Sequence, residues 1–198
     1  MSIAQTILLF VLPILLLYFN VVPVQSRFVI LLIFCVLIYS IMRREGWKDE
    51  DVGLTFKNIK FEIPYYAVAT ILGAVLIISV AKYLHLQSVT EWWTRPYFLF
   101  FFIFSSVFQE FAFRGFLMPV LGRIFLRSNF TVVLVNSILF AFMHAIYPIP
   151  MITLPIAFIG GLLFAGLYSK YPNLLLVTIM HCVLNFVAVY HGFFTIHL

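Results

Sequence analysis

Charge is scarce in this chain: Asp, Glu, Lys and Arg make up 10% of 198 residues, while 64% are hydrophobic. Soluble domains run at roughly 45–50% apolar and about 25% charged residues, so this composition excludes a water-facing surface. The net charge of +5 could suggest nucleic acid, but the basic residues are scattered between apolar runs and form no stripe, so no nucleic-acid partner is expected. Cysteine is equally rare. Cys35 and Cys182 both fall inside apolar runs and are expected as buried free thiols, not a disulfide. The opening segment lacks the basic region of a secretory leader, since Met1 to Gln5 carry no charged side chain, and is expected as a retained helix.

What the chain has in quantity is apolar sequence. A helix needs about 20 mostly apolar residues to cross a bilayer, fewer when buried. Seven runs qualify: Ile3 to Val22, Phe28 to Met42, Pro64 to Leu84, Tyr97 to Leu121, Phe130 to Ile146, Ile149 to Tyr168 and Asn173 to Phe194. Aromatic content of 19%, with 24 Phe, suits side chains that face lipid as well as protein. The expectation is an all-α, polytopic membrane protein of about seven transmembrane helices, with residues 1–198 forming one membrane domain. Tyr147-Pro148-Ile149-Pro150 predicts a tight turn between the fifth and sixth spans.

The stretch from Arg43 to Glu62 is the long polar one. Its Trp47, Phe56 and Phe61 lie among charges, which predicts an interfacial, cytoplasmic loop over residues 43–62, in contact with membrane lipids. The second, fourth and sixth loops carry Arg43, Arg44, Lys48, Lys57, Lys60, Arg123, Arg127 and Lys170, against Arg27, Lys82 and Arg95 in the others. By the positive-inside rule this predicts a multi-pass protein of the cell membrane with a cytoplasmic N-terminus and an external C-terminus.

Ionisable groups at membrane depth are costly, and they mark functional sites by default. Span four carries Gln109, Glu110 and Arg114, span five ends at His144, and span seven holds His181 and Asn185. Glu110 with Arg114, and His181 with Asn185, are four apart, so each pair shares a helix face. At about 1.5 Å per residue from the predicted cytoplasmic ends, Glu110 lies roughly 16 Å deep, His144 about 22 Å and His181 about 12 Å. A carboxylate beside a histidine can deprotonate water, while a second histidine and an asparagine can donate to an oxyanion, which is the equipment of peptide hydrolysis. The plainer reading is an ion pair bracing helices and histidines serving as structural donors. Gly160, Gly161 and Gly166 on span six read as sites of close helix packing. Cys182 points about 100° from His181 and is expected to pack. His85, His191 and His197 carry no assigned chemistry. Zinc is an alternative, since His144, His181 and Glu110 could hold it with an open position, but no His-Glu-x-x-His pair is present and no cofactor is expected.

Glu110 with Arg114 and Gly115, Phe140 with His144, and His181 with Asn185, in that order on the fourth, fifth and seventh spans, resemble the CPBP family of CAAX-processing and bacteriocin-processing intramembrane proteases. The loop Asp51-Val52-Gly53-Leu54 and the run from Gly160 to Tyr168 are similar to that family too. The resemblance covers about residues 51–198. It implies a glutamate-dependent endopeptidase acting on a peptide or lipidated protein, whose eukaryotic relatives remove the C-terminal tripeptide of prenylated proteins and whose bacterial relatives serve peptide maturation, bacteriocin self-immunity and signalling. Carried over, Glu110 and Arg114 fill the second and last positions of the Glu-Glu-x-x-x-Arg motif, His144 partners the base, and His181 and Asn185 line the oxyanion site. The chain departs from the motif at Gln109, where the family's base glutamate stands. An amide cannot accept a proton as a general base. Either Glu110 has taken that role, or the chain is a non-catalytic immunity or scaffold relative, or the glutamine is an engineered block. A proton-relaying transporter built on the same groups predicts inverted repeats, and the sequence carries no convincing one.

Overall fold

The computed structural model describes residues 3–23, 26–91, 96–126, 128–147 and 149–193, the side chains of Ile3 and of residues 96–101 excepted. Their regular structure is all helical, with no strand. The helices are α1 (Ile3–Tyr18), α2 (Arg27–Arg44), α3 (Ile59–Tyr83), α4 (Pro96–Glu110), α5 (Met118–Ile124), α6 (Asn129–Met143), α7 (Pro150–Lys170) and α8 (Leu174–Tyr190). A π-helical segment, Phe111–Leu117, joins α4 to α5 in one continuous rod, which gives seven rods among the described residues. Short 3₁₀ turns cover Asp49–Val52 and His144–Ile146.

Among the described residues, three helices have the length and apolar composition to cross a membrane: Ile59–Tyr83, Asn129–Ile146 and Pro150–Lys170. Ala4–Tyr18 and Leu174–Tyr190 are apolar but shorter. Large apolar side chains such as Leu8, Ile71, Leu72 and Val75 point outward, the pattern of a bundle surrounded by lipid. The two cysteines are free thiols, Cys35 buried and Cys182 half-buried. Arg95, Arg127, Pro148, Phe194 and His197 lie outside the described residues, so the proline turn and the last end of the seventh span do too.

α3 begins five residues ahead of the expected Pro64. Glu62 sits in its first turn, where a carboxylate complements the helix dipole, and is bound by Asn173 Nδ2 at 2.8 Å. The stretch 43–62 therefore does not lie flat along its whole length. Trp47 and Val52 are buried, while Phe56 and Phe61 remain among the most exposed residues. Gly53 makes the turn with φ +71°, and its carbonyl accepts the Leu174 N–H at 2.9 Å. A side chain there would meet Tyr168 Oη at 2.5 Å and the Pro172 carbonyl at 3.0 Å, so the loop can dock on the α7–α8 turn only with glycine at this position.

These contacts sort the connections by end. Arg123 bridges Glu45 at 3.1 Å and covers the Trp47 ring at 4.6 Å, and Asn173 Nδ2 reaches the Thr55 carbonyl at 3.4 Å. The polar stretch, the end of α5 and the α7–α8 turn thus share one end of the bundle. At the other, the Val89 N–H donates to the Tyr190 carbonyl at 2.8 Å.

Candidate active site

The π-helical segment follows Glu110 directly. In it the Met118 N–H donates to the Phe113 carbonyl, five residues back instead of four. The wider turn places Glu110, Arg114 and Phe116 in the bundle core, where Glu110 and Arg114 have no solvent exposure. Val52 from the docked loop lies over Gly115, 3.5 Å from where a Cβ would stand.

Glu110 Oε1 is the hub. It accepts from His181 Nδ1 at 2.6 Å and from Arg114 Nη1 at 3.2 Å, while Oε2 has no bond within the described chain. A carboxylate can only accept, so Nδ1 of His181 carries the hydrogen. His144 Nδ1 likewise donates to the Phe140 carbonyl at 2.9 Å. In the neutral tautomer this fixes, Nε2 of each ring carries the lone pair.

Two aromatic rings organise the cluster. Phe140 lies 5.0 Å from the His144 ring and 5.7 Å from His181, and Phe164 stacks on His181 at 5.1 Å. The Arg114 guanidinium sits 4.4 Å from the Phe140 centroid and 5.2 Å from Phe164, so ring faces share the compensation of its charge with Glu110. Arg114 Nη2 also reaches the Gly161 carbonyl at 3.4 Å. That approach depends on Gly161: a Cβ there would stand 3.0 Å from Ser137 Cα on α6.

Of the residues singled out in the sequence, Glu110, Arg114 and His181 form one bonded group, and His144 joins it across Phe140. The direct partner of Glu110 is His181, not His144. Gln109 is half-buried, with Oε1 buried and unbonded within the described chain. Asn185, half-buried one turn beyond His181, makes no bond to Glu110, Arg114 or His181. No three His, Cys, Asp or Glu side chains among the described residues come together as a metal-ligand set. Asn136 was missed. It is fully buried on α6 and donates from Nδ2 to the Phe113 carbonyl at 2.8 Å. Its signal was an amide inside the apolar run Val133-Leu134-Val135-Asn136-Ser137-Ile138, two turns before His144.

Residues 91–187 match the family model described as type II CAAX prenyl endopeptidase Rce1-like, a stretch that contains every member of this cluster. No curated protein and no solved structure matches the chain.

Proposed function

With residues 91–187 supporting membership of the CPBP family, a family of proteases, we propose that this chain is an intramembrane endopeptidase. Its substrate would be a membrane-associated protein or peptide, with a prenylated CAAX-type tail as the first candidate. The observation that carries this reading is the fully buried Glu110 held at 2.6 Å by His181, with Oε2 left to engage water.

In this mechanism Glu110 Oε2 takes a proton from water as its oxygen attacks the scissile carbonyl. His144, through Nε2, orients that water. His181 is held by Glu110 at Nδ1 and, when protonated, donates from Nε2 to the developing oxyanion together with the Asn185 amide. The proton on Glu110 then passes to the leaving amine as the C–N bond breaks. Arg114 compensates the charge of the carboxylate, because an unpaired charge in an apolar surrounding is costly. No metal enters the scheme. The alternative, zinc on His144, His181 and Glu110, predicts activity that chelators abolish and zinc restores.

Gln109 favours a second reading, a pseudoprotease that binds a peptide without cutting it and acts as a membrane immunity or scaffold factor. The discriminating experiment is cleavage of fluorogenic peptides, with and without a farnesyl group, by the purified chain and by Gln109→Glu, Glu110→Ala and His144→Ala. Activity in the chain as it stands, lost in Glu110→Ala and His144→Ala, is the expected result. Activity only in Gln109→Glu would mark the chain as a disabled or blocked enzyme, and activity in none of the variants would favour the binding role.

A further inference from the structure

The π-helical segment has little local reason to exist. No proline interrupts Phe111–Leu117, and the i→i+5 pattern is rare because α-helical bonding is better aligned. Something outside the segment must select it, and α6 is placed to do so. Asn136 has no exposed surface, and its Nδ2 donates to the Phe113 carbonyl across 23 residues of sequence. That carbonyl also accepts the Met118 N–H, an i→i+5 bond at the end of the wide turn. Asn136 Oδ1 makes no hydrogen bond within the described chain, so the grip on Phe113 is what compensates this amide in apolar surroundings. Only the Nδ2 end can face a carbonyl, so the contact fixes the amide's orientation as well.

One turn along α6, Phe140 meets the Phe113 ring edge-on at 5.3 Å. α6 therefore holds Phe113 twice, by its carbonyl and by its ring. The same helix carries His144 at its end, and the next residue after Phe113 is Arg114, which bonds Glu110. We infer that Asn136 is a positioning residue: it locks the π-helical turn to α6 and thereby sets Glu110 and Arg114 in register with His181 and His144. The inference rests on the protease reading above for its catalytic consequence, and on geometry alone for its structural one.

The test uses the full chain in lipid nanodiscs with ¹⁵N-labelled histidine. His181→Gln identifies the His181 Nδ1 line, and Glu110→Gln shows where that line moves when the carboxylate bond is lost. Asn136→Leu keeps the volume without the donor, and Asn136→Ala removes both. Both are expected to move the line toward its Glu110→Gln position. In an active background both should lower kcat about 100-fold with KM changed less than about threefold. A line that stays put in either variant, a line that moves in Asn136→Ala alone, or an unchanged kcat would overturn the inference. If one variant does not elute as a folded species, the other decides. The spectral readout needs no turnover, so a chain inactive in every background would sink the protease reading and still leave Asn136 tested.

Discussion

At the scale of single residues, the balance to explain is a carboxylate and a guanidinium, both without solvent exposure, 3.2 Å apart in an apolar bundle. Each is tolerated because of the other. Removing one partner of a buried pair leaves the second uncompensated, whereas replacing both with apolar groups can be nearly neutral. Glu110→Gln is therefore expected to destabilise the chain by about 3 kcal/mol, and adding Arg114→Met to recover most of that loss without restoring activity. Thermal unfolding of the two variants in detergent checks this. Equal stability of both would show that the aromatic faces of Phe140 and Phe164 already satisfy Arg114. Glu110, Arg114 and His181 were legible in the sequence because ionisable groups stand out in apolar runs. The choice of His181 over His144 as partner of Glu110 was not, since helical spacing relates residues on one helix and says nothing about which ring arrives from another. Asn136 was visible in the same way as the histidines, but a neutral amide at depth reads first as a satisfied structural donor.

At the scale of elements, the apolar runs located the rods, and every rod begins or ends within several residues of its expected bound. The π-helical segment was illegible, because seven residues of Phe, Ala, Leu, Gly and Arg carry no periodicity that separates i→i+5 from i→i+4 bonding. In the sequence the three glycines of α7 look alike as packing sites, but in the structure they divide. A Cβ on Gly161 would meet Ser137 Cα at 3.0 Å and Phe140 Cδ1 at 3.3 Å, one on Gly160 would make only ordinary contact at 3.9 Å, and one on Gly166 would meet nothing within 4 Å. Gly161→Ala must push α7 away from α6, because the obstacle is backbone, and is expected to cost about 1–3 kcal/mol. It should also weaken the Arg114 bond to the Gly161 carbonyl and lower activity. Gly166→Ala should stabilise by about 0.5–1 kcal/mol through reduced chain entropy. Paired melting curves and rates for the two variants decide it, and equal costs would mean that α6 and α7 are less closely apposed than 3.0 Å implies.

At the scale of the whole molecule, loop charge and tertiary contact sort the same segments to the same end. The basic second, fourth and sixth connections meet through Glu45 with Arg123 and Asn173 with Thr55, while Val89 bonds Tyr190 at the opposite end. What loop charge could not foretell is that half of the polar stretch folds back onto the bundle, because the Gly53 turn and its bond to Leu174 depend on a partner 121 residues away. Phe56 and Phe61, with Lys57 and Lys60 between them, stay outside as the portion suited to a membrane surface. We propose that the basic end is cytoplasmic, the N-terminus with it and the C-terminus external. In a chain with Cys35→Ala and Cys182→Ala, the exposed positions Phe56 and Gln87 are replaced one at a time by cysteine and treated with a membrane-impermeant maleimide. Gln87→Cys should label on intact cells and Phe56→Cys only after permeabilisation. The reverse pattern would invert the topology and put Lys57 and Lys60 outside, and labelling of both from one side would mean that the two ends of the bundle do not face opposite surfaces of the membrane.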